Sequence, residues 1–268
     1  MRPTPRPLPA LAAIAAIAAT TAIDAFPARA QATSQPARTI LAVGAHAGDM
    51  ELTAGAVLVR QQRAGDRIVL LHLTLGEGGN PQLSPAEYGA QKRAEATAVA
   101  EVIGAEVIFG PYRDGELPDD EDARRYVADV IRQVRPTHII THAAGSFHKD
   151  HTAAHYITTD AVLLASLEGV VSEYPRHRGI RGIYFAENWE DMTGFQPYLF
   201  VGVSEEDVAT WREAVTRYEF VGGTISSFRY LDYYDALFTV RGALARHPRA
   251  VAFDIDPSGK RRILDGLP

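Results

Sequence analysis

The sequence predicts an α/β fold built on a doubly wound, largely parallel sheet. Two observations lead to this prediction. Short apolar runs alternate along the chain with helical segments of crossover length, and two of the apolar runs end in histidine and carboxylate side chains. Folds of this class place their active sites at the carboxyl ends of the strands. We therefore expect a metal site at that edge of the sheet.

Residues 39–167 supply four predicted strands and four predicted helices. The strands cover residues 39–43, 67–75, 106–109 and 138–141, and the helices cover residues 51–64, 85–103, 119–134 and 150–167. Gly65, Gly104 and Pro136 stand just beyond the first three helices, where residues that break a helix are expected. The regular alternation of strand and helix is typical of a Rossmann-like sheet.

The second half gives a weaker pattern. Residues 180–186 and 198–203 are predicted strands, and Ser204 is a predicted N-cap followed by the acidic first turn Glu205-Glu206-Asp207. From residue 220 onward the chain is rich in tyrosine, phenylalanine and arginine and has no clear period, so the role of residues 220–268 stays open.

Residues 1–30 have the pattern of a secretory signal peptide. Arg2 and Arg6 precede an alanine-rich apolar run that is too short to span a bilayer, and small residues follow at candidate cleavage sites near Ala30. An uncleaved membrane anchor is the alternative. We predict export to the periplasm or medium with no stable membrane span after cleavage, a linker at 31–38, and one domain at 39–268.

Composition excludes several classes of protein. With 46% hydrophobic residues and a net charge of −6, the chain resembles a soluble globular protein and has no basic surface for nucleic acid. It contains no cysteine, which excludes disulfides, thiolate ligands and cysteine nucleophiles. Any bound metal must therefore be held by histidine, aspartate and glutamate.

Two polar clusters stand at the predicted strand ends. His46 and Asp49 follow the first strand, and His148-Lys149-Asp150-His151 follows the fourth. Histidines and carboxylates that leave a coordination position open suit a catalytic zinc or a similar divalent ion. Taken alone, each cluster could equally hold surface histidines and a helix-capping aspartate. Because both clusters are expected at one edge of the sheet, a shared metal is the favoured interpretation.

Five short motifs in order resemble the LmbE-like, or PIG-L, de-N-acetylases. They are Ala45-His46-Ala47-Gly48-Asp49-Met50-Glu51-Leu52, Thr74-Leu75-Gly76-Glu77-Gly78-Gly79, Lys92-Arg93-Ala94-Glu95 with the helix running to Gly104, Asp114-Gly115-Glu116-Leu117, and His148-Lys149-Asp150-His151. They fall within residues 39–165, the motif-bearing core of the domain.

The resemblance implies a zinc-dependent hydrolase, or one using another divalent metal, that removes an N-acetyl or other N-acyl group from a small sugar-like molecule or glycoconjugate. It makes His46, Asp49 and His151 the metal ligands, and His148 the group that polarises the substrate carbonyl or stabilises the oxyanion. Asp150 would then orient a neighbouring histidine. Arg93 and Asp114 are candidate substrate-binding residues. Their alternatives are an exposed helix charge and a turn built with Gly115.

Gly48 departs from the family pattern H-P-D-D, because the family has its general base at this position and glycine cannot accept a proton. Loss of a positioned base costs about a hundredfold to ten-thousandfold in rate. The candidate replacements are Glu77, Asp150 and Glu51, although Glu51 stands near a helix start and could only complement its dipole. The alternatives are a catalytically silent metal and carbohydrate binder, and an enzyme of lyase-like chemistry.

Aromatic residues of the second half are candidate surfaces for stacking on a sugar, although aromatic residues more often belong to a core. They are Trp189, Tyr218, Tyr230, Tyr233 and Tyr234. The particular substrate and the oligomeric state are not encoded in any pattern of the sequence.

Overall fold

The computed structural model describes residue 1, residues 37–191 and residues 193–261. Nearly all of the predicted signal peptide and of the predicted linker therefore lies outside the described residues, and the domain boundaries stay predictions. Among the described residues, no helix is long and apolar enough to cross a membrane.

The described chain forms a seven-stranded sheet. Its strands are Thr39–Gly44 (β1), Arg67–His72 (β2), Glu106–Phe109 (β3), His138–His142 (β4), Gly182–Ala186 (β5), Leu199–Gly202 (β6) and Ala250–Ile255 (β7). Their order across the sheet is β3-β2-β1-β4-β5-β7-β6. The pairs from β3 to β5 are parallel, and β7 runs antiparallel to both β5 and β6. The predicted α/β class with a doubly wound, largely parallel sheet is confirmed.

Helices cover both faces of this sheet. They are Asp49–Arg63 (α1), Pro85–Ile103 (α2), Glu121–Val134 (α3), Lys149–Ser166 (α4), Glu205–Val215 (α5) and Tyr230–Leu244 (α6). The buried residues of α1, α2, α5 and α6 form one core, and those of α3 and α4 form the other. In β1, Ile40 and Ala42 face the first core while Leu41 and Val43 face the second. This strand is apolar throughout because both of its faces are buried.

Local signals fix the ends of α2, the helix that passes beside the site. Ser84 is its N-cap and forms a capping box with Glu87, in which each side chain accepts a hydrogen bond from the other residue's backbone N–H. Gly104 ends the helix in the left-handed region with φ 78°. The bounds predicted for this helix from the sequence are therefore those of the structure.

The tail from residue 220 contains two elements that its sequence pattern does not reveal, α6 and β7. Helix α6 buries Tyr234, Phe238 and Gly242, a stripe with a spacing of four residues. Its outer face also carries large apolar residues, since Val240 is 53% and Leu244 63% exposed. Helical periodicity depends on a contrast between an apolar and a polar face. Because α6 carries apolar residues on both faces, this contrast is nearly absent and the sequence pattern does not reveal the helix.

Arg132 of α3 ties this helix to the end of α4. Its side chain is 3% exposed, and its guanidinium donates hydrogen bonds to the carbonyl oxygens of Leu164, Ala165, Leu167 and Val170 at 2.7 to 3.2 Å. The cation thus adds a charged donor to carbonyl groups at and beyond the end of the helix, three of which also accept a backbone amide.

We expect Arg132→Ala to lower the free energy of unfolding by about 3 kcal/mol or more, because several buried carbonyls lose a charged donor at once. Urea denaturation measures the change. Arg125→Ala is the matched control. Arg125 lies on the same helix, is exposed, and pairs among the described residues with Glu121 at 2.8 Å, so its loss should cost less than about 1 kcal/mol. Equal losses in the two variants would contradict this account.

Candidate metal centre

The candidate site lies at the carboxyl edge of the parallel strands, as the sequence predicts. His46 and Asp49 follow β1, while His148 and His151 stand at the start of α4, which follows β4. Because β1 and β4 are parallel neighbours in the sheet, their following segments emerge side by side. Asp114 comes from the loop after β3 and Glu190 from the loop after β5.

Three predicted ligands present their donor atoms to one point. The His46 Nδ1 atom lies 3.3 Å from Asp49 Oδ2 and 3.1 Å from His151 Nε2, and Asp49 Oδ2 lies 3.5 Å from His151 Nε2. A tetrahedral zinc ion with bonds of 2.0–2.1 Å holds its ligand atoms about 3.3 Å apart. The triad therefore fits a single divalent ion and leaves a coordination position for a substrate.

Carboxylates engage the other ring nitrogens of both histidines. The Nε2 atom of His46 lies 3.0 Å from Asp114 Oδ1 and 3.4 Å from Asp150 Oδ2. The Nδ1 atom of His151 lies 2.9 Å from Glu190 Oε2. A carboxylate on the far nitrogen fixes the tautomer and ring orientation of a ligating histidine. Asp114, Asp150 and Glu190 are placed for this role.

Backbone donors hold these carboxylates in turn. The amide of Gly78 donates to Asp114 Oδ2 at 3.0 Å, and the amide of Gly115 donates to Asp150 Oδ2 at 2.7 Å. Asp150 is fully buried. Loops that follow β2 and β3 are thereby fastened to the site, and the carboxylates are fixed in place.

The charges of this cluster are strongly coupled. Burial disfavours the imidazolium of His46, but Asp49, Asp114 and Asp150 outweigh it and raise the pKa of His46 well above its usual range. Burial likewise opposes ionisation of Asp49, but the charges of His151 and His46 hold the pKa of Asp49 well below its usual range. Carboxylates that stay ionised around buried imidazoles create a site that favours a cation.

His142 at the end of β4 is a further histidine that the sequence patterns do not single out. Its Nε2 atom accepts a hydrogen bond from the amide of Ala45 at 3.0 Å and lies 3.1 Å from Asp49 Oδ2. Burial lowers the pKa of His142 to about 4. Because Ala45 occupies the Nε2 lone pair, we interpret His142 as a support for the β1 turn rather than as a ligand.

His148 lines the cavity beside the triad and caps α4. Its Nδ1 atom accepts a hydrogen bond from the amide of Asp150 at 3.3 Å, so the neutral ring carries its proton on Nε2. Burial, followed by the charges of His46 and His151, lowers the pKa of His148. A neutral imidazole with a protonated Nε2 can donate a hydrogen bond to a substrate oxygen.

Gly48 is held in a conformation that few other residues adopt. Its φ is 112° and it precedes α1. A Cβ atom added at this position would lie 2.9 Å from Phe220 Cζ and 3.6 Å from Tyr218 Cε2. A side chain at position 48 would therefore meet the aromatic ring of Phe220.

Three other predicted site residues do not line the cavity. Glu51 is fully buried behind it and accepts a hydrogen bond from the Tyr218 hydroxyl at 2.7 Å. Glu77 Oε1 accepts from the amide of Asp114 at 3.0 Å and so shapes the loop. Arg93 is exposed, and its guanidinium lies over the Phe109 ring, 4.2 Å from the centroid. Arg93 does not approach the cavity because it is one helical position beyond Lys92, which does.

The cavity next to the triad has a volume of about 500 Å³. Of the five aromatic candidates, Trp189, Tyr230 and Tyr234 line it, and Tyr218 and Tyr233 do not. Its other lining residues include His46, Asp49, Lys92, Asp114, His148, His151, Asn188, Glu190, Phe220, Ser226 and Ser227. Sequence reasoning missed Asn188, Glu190 and Phe220, which carry no short-range motif of their own. In the motif Lys92-Arg93-Ala94-Glu95 it selected Arg93, whereas the residue that lines the cavity is Lys92.

Residues 41–162 match the PIG-L family, described as GlcNAc-PI de-N-acetylase. The chain is 29% identical over 221 residues to a 1D-myo-inositol 2-acetamido-2-deoxy-alpha-D-glucopyranoside deacetylase of Rhodococcus erythropolis, a match that covers 65% of this chain and 74% of the relative. It is also 29% identical over 142 residues to a 4-oxalmesaconate hydratase of Pseudomonas putida, covering 50% of this chain and 55% of the hydratase. For the hydratase and several curated deacetylases, the match spans about half the relative's length.

Solved structures share the fold. The N,N'-diacetylchitobiose deacetylase of Pyrococcus horikoshii superposes with a TM-score of 0.70 at 17% identity, covering 83% of this chain and 85% of that one. At this identity the similarity concerns the architecture alone.

Proposed function

Because this chain carries a PIG-L (LmbE-like) family domain over residues 41–162, we propose that it is a zinc-dependent hydrolase that removes an N-acyl group from a sugar-like substrate. The observation that carries the proposal is the convergence of His46 Nδ1, Asp49 Oδ2 and His151 Nε2 within 3.1 to 3.5 Å of one another beside an open cavity. Deacetylases among the relatives support the choice of an amide bond.

A divalent metal held by His46, Asp49 and His151 would supply Lewis-acid polarisation of a carbonyl and would lower the pKa of water. The chain's own groups supply the rest. His148 donates from Nε2 to the oxygen of the substrate carbonyl, where negative charge develops as the amide is attacked. Asp114, Asp150 and Glu190 hold the two ligating imidazoles. Besides the ligand Asp49, the carboxylates that line the cavity are Asp114 and Glu190. These two residues are the candidates for proton transfer.

A second candidate is addition of water to a carbon–carbon double bond. The specific observation in its favour is Gly48, where a side chain would meet the ring of Phe220, together with the similarity to a hydratase. Such a reaction uses the same polarised carbonyl to accept charge from the neighbouring double bond. It needs no attack on an amide.

Removal of the metal by a chelator distinguishes a metal-dependent hydrolase or hydratase from a protein that binds its ligand without catalysis. We expect zinc-loaded protein to release acetate from N-acetylglucosamine derivatives, and incubation with a chelator followed by dialysis to remove at least about 99% of this rate, because the polarising ion contributes several kcal/mol to transition-state stabilisation. Readdition of zinc should restore the rate. Acetate is measured by a coupled assay.

The same preparations are then offered 4-oxalmesaconate, and hydration is followed as loss of the conjugated absorbance. Chelator-sensitive hydration without acetate release would replace the hydrolase proposal by the hydratase. Absence of both activities would leave a binding protein.

A further inference from the structure

Lys92 of α2 is a buried cation at the candidate site. Its residue is 3% exposed, and its ammonium donates to the carbonyl oxygen of Ala47 at 2.6 Å, directly beside Gly48. The Nζ atom also lies 4.1 Å from the centroid of the Phe220 ring and 4.3 Å from that of Tyr218. These contacts hold the ammonium in place but bring no negative charge to it.

Among the described residues, Lys92 forms no direct ion pair, and the carboxylates whose charges reach its ammonium, Glu51, Glu95, Asp49 and Asp114, act on it without such contact. The other two lysines of the sequence differ in this respect, since Lys149 is exposed and Lys260 pairs with Asp254 at 3.0 Å. A buried charge without a counter-ion is costly. Burial lowers the pKa of Lys92 to about 8, and the charges of nearby carboxylates, Glu51 first among them, oppose this effect.

Lys92 lines the cavity beside the triad, where its ammonium can contact a bound substrate. Lys92 is the only lysine or arginine among the cavity-lining residues, and the histidine and aspartate ligands lie in the same cavity. A substrate that reaches the triad therefore passes an ammonium that donates to the Ala47 carbonyl oxygen and has no carboxylate in direct contact among the described residues. An anionic group on the substrate would supply a direct counter-ion and make a charge-assisted hydrogen bond.

We infer that Lys92 binds a carboxylate of the substrate, which makes the substrate of this site an acidic molecule. The inference rests on the proposed function for the position of the reacting carbonyl at the triad. Within the hydrolase the acidic substrate is an N-acylated sugar acid, and within the hydratase it is an unsaturated polycarboxylate. Lys92 is a specificity-determining residue in both cases.

Binding of matched ligands to zinc-loaded protein tests this by calorimetry, without turnover. The probes are N-acetylmuramic acid, N-acetylglucosaminuronic acid and mesaconate, each compared with its primary amide. We expect at least one acid to bind about tenfold to a hundredfold more tightly than its amide, the range of a hydrogen bond to a charged group. In Lys92→Met the preference should fall to within about twofold, and Lys92→Arg should retain most of it.

Lys260→Met is the matched control, a lysine outside the cavity, and should keep the full preference. Thermal melting checks that each variant is folded, and the comparison of acid with amide in the parent protein needs no variant. No preference for any acid in the parent, or an unchanged preference in Lys92→Met, overturns the inference. A Lys92-dependent preference confined to mesaconate supports the inference while it contradicts the hydrolase, and failure of acetate release leaves the binding result standing.

Discussion

His151→Ala should abolish chelator-sensitive turnover and lower the affinity for zinc by more than about a hundredfold. Changes in groups that merely support a metal ligand cost about tenfold to a hundredfold, and this variant removes a ligand atom itself. The Nε2 atom of His151 is one corner of the triad, at 3.1 Å from His46 Nδ1 and 3.5 Å from Asp49 Oδ2. Zinc content after dialysis, measured by mass spectrometry, gives the result directly.

Two further variants make this test specific. His148→Ala changes a histidine of the same cavity that is not in the triad, so it should keep its zinc and lose rate. Glu190→Gln keeps the ligand but weakens its support, so it should fall between the parent and His151→Ala in affinity. Another combination of nearby groups, His46 with His148 and His151, could also hold a metal. Loss of zinc in His148→Ala would favour that combination over the triad.

Gly48→Asp should destabilise the protein by about 2–4 kcal/mol, the sum of left-handed backbone strain and overpacking. The backbone strain comes from a φ of 112°, and the overpacking from Phe220, which a Cβ would approach to 2.9 Å. Gly65→Asp is the matched control because Gly65 also has a positive φ, 91°, but open space around it. It should show the cost of strain alone. Urea denaturation of both variants separates the two contributions, and equal losses would contradict a role for Phe220.

Because a side chain at position 48 would contact Phe220, a test that restores an aspartate base there must also change Phe220. In Gly48→Asp alone, a low rate would not distinguish a displaced base from an unsuitable one. The double variant Gly48→Asp/Phe220→Ala removes the obstructing ring. If a missing base limits hydrolysis, its acetate release should exceed that of Phe220→Ala by about a hundredfold or more. Equal rates in the double variant and in Phe220→Ala would show that another group already transfers the proton.

The sequence predicts the triad because each ligand belongs to a short motif at the end of an apolar strand. His46 and Asp49 are three residues apart, and His151 joins them because β1 and β4 are neighbours, a relation that the alternating pattern already suggests. The resemblance to known deacetylases supplies the proposed roles, and the geometry is consistent with the ligand set.

The groups around the triad could not be predicted in the same way. Glu190 reaches His151 from the loop after β5, and Phe220 reaches Gly48 across 172 positions of the chain, counted from their residue numbers. No local period records such contacts. Lys92 and Arg93 are adjacent in sequence, and only the rotation of α2 about its axis decides that Lys92 faces the cavity while Arg93 faces solvent.

Because β7 lies between β5 and β6 but follows both in the chain, the sheet cannot be completed until β7 has been synthesised. This strand is the partner that joins β6 to the rest of the sheet. During synthesis β5 and β6 are made before it, so both keep an open hydrogen-bonding edge until residues 250–255 have emerged. Open edges invite pairing with other chains. A nascent chain that stops short of Ala250 therefore carries an unpaired edge on β5 and a β6 segment without a partner strand, although the loops that follow β1 to β5 have already been made.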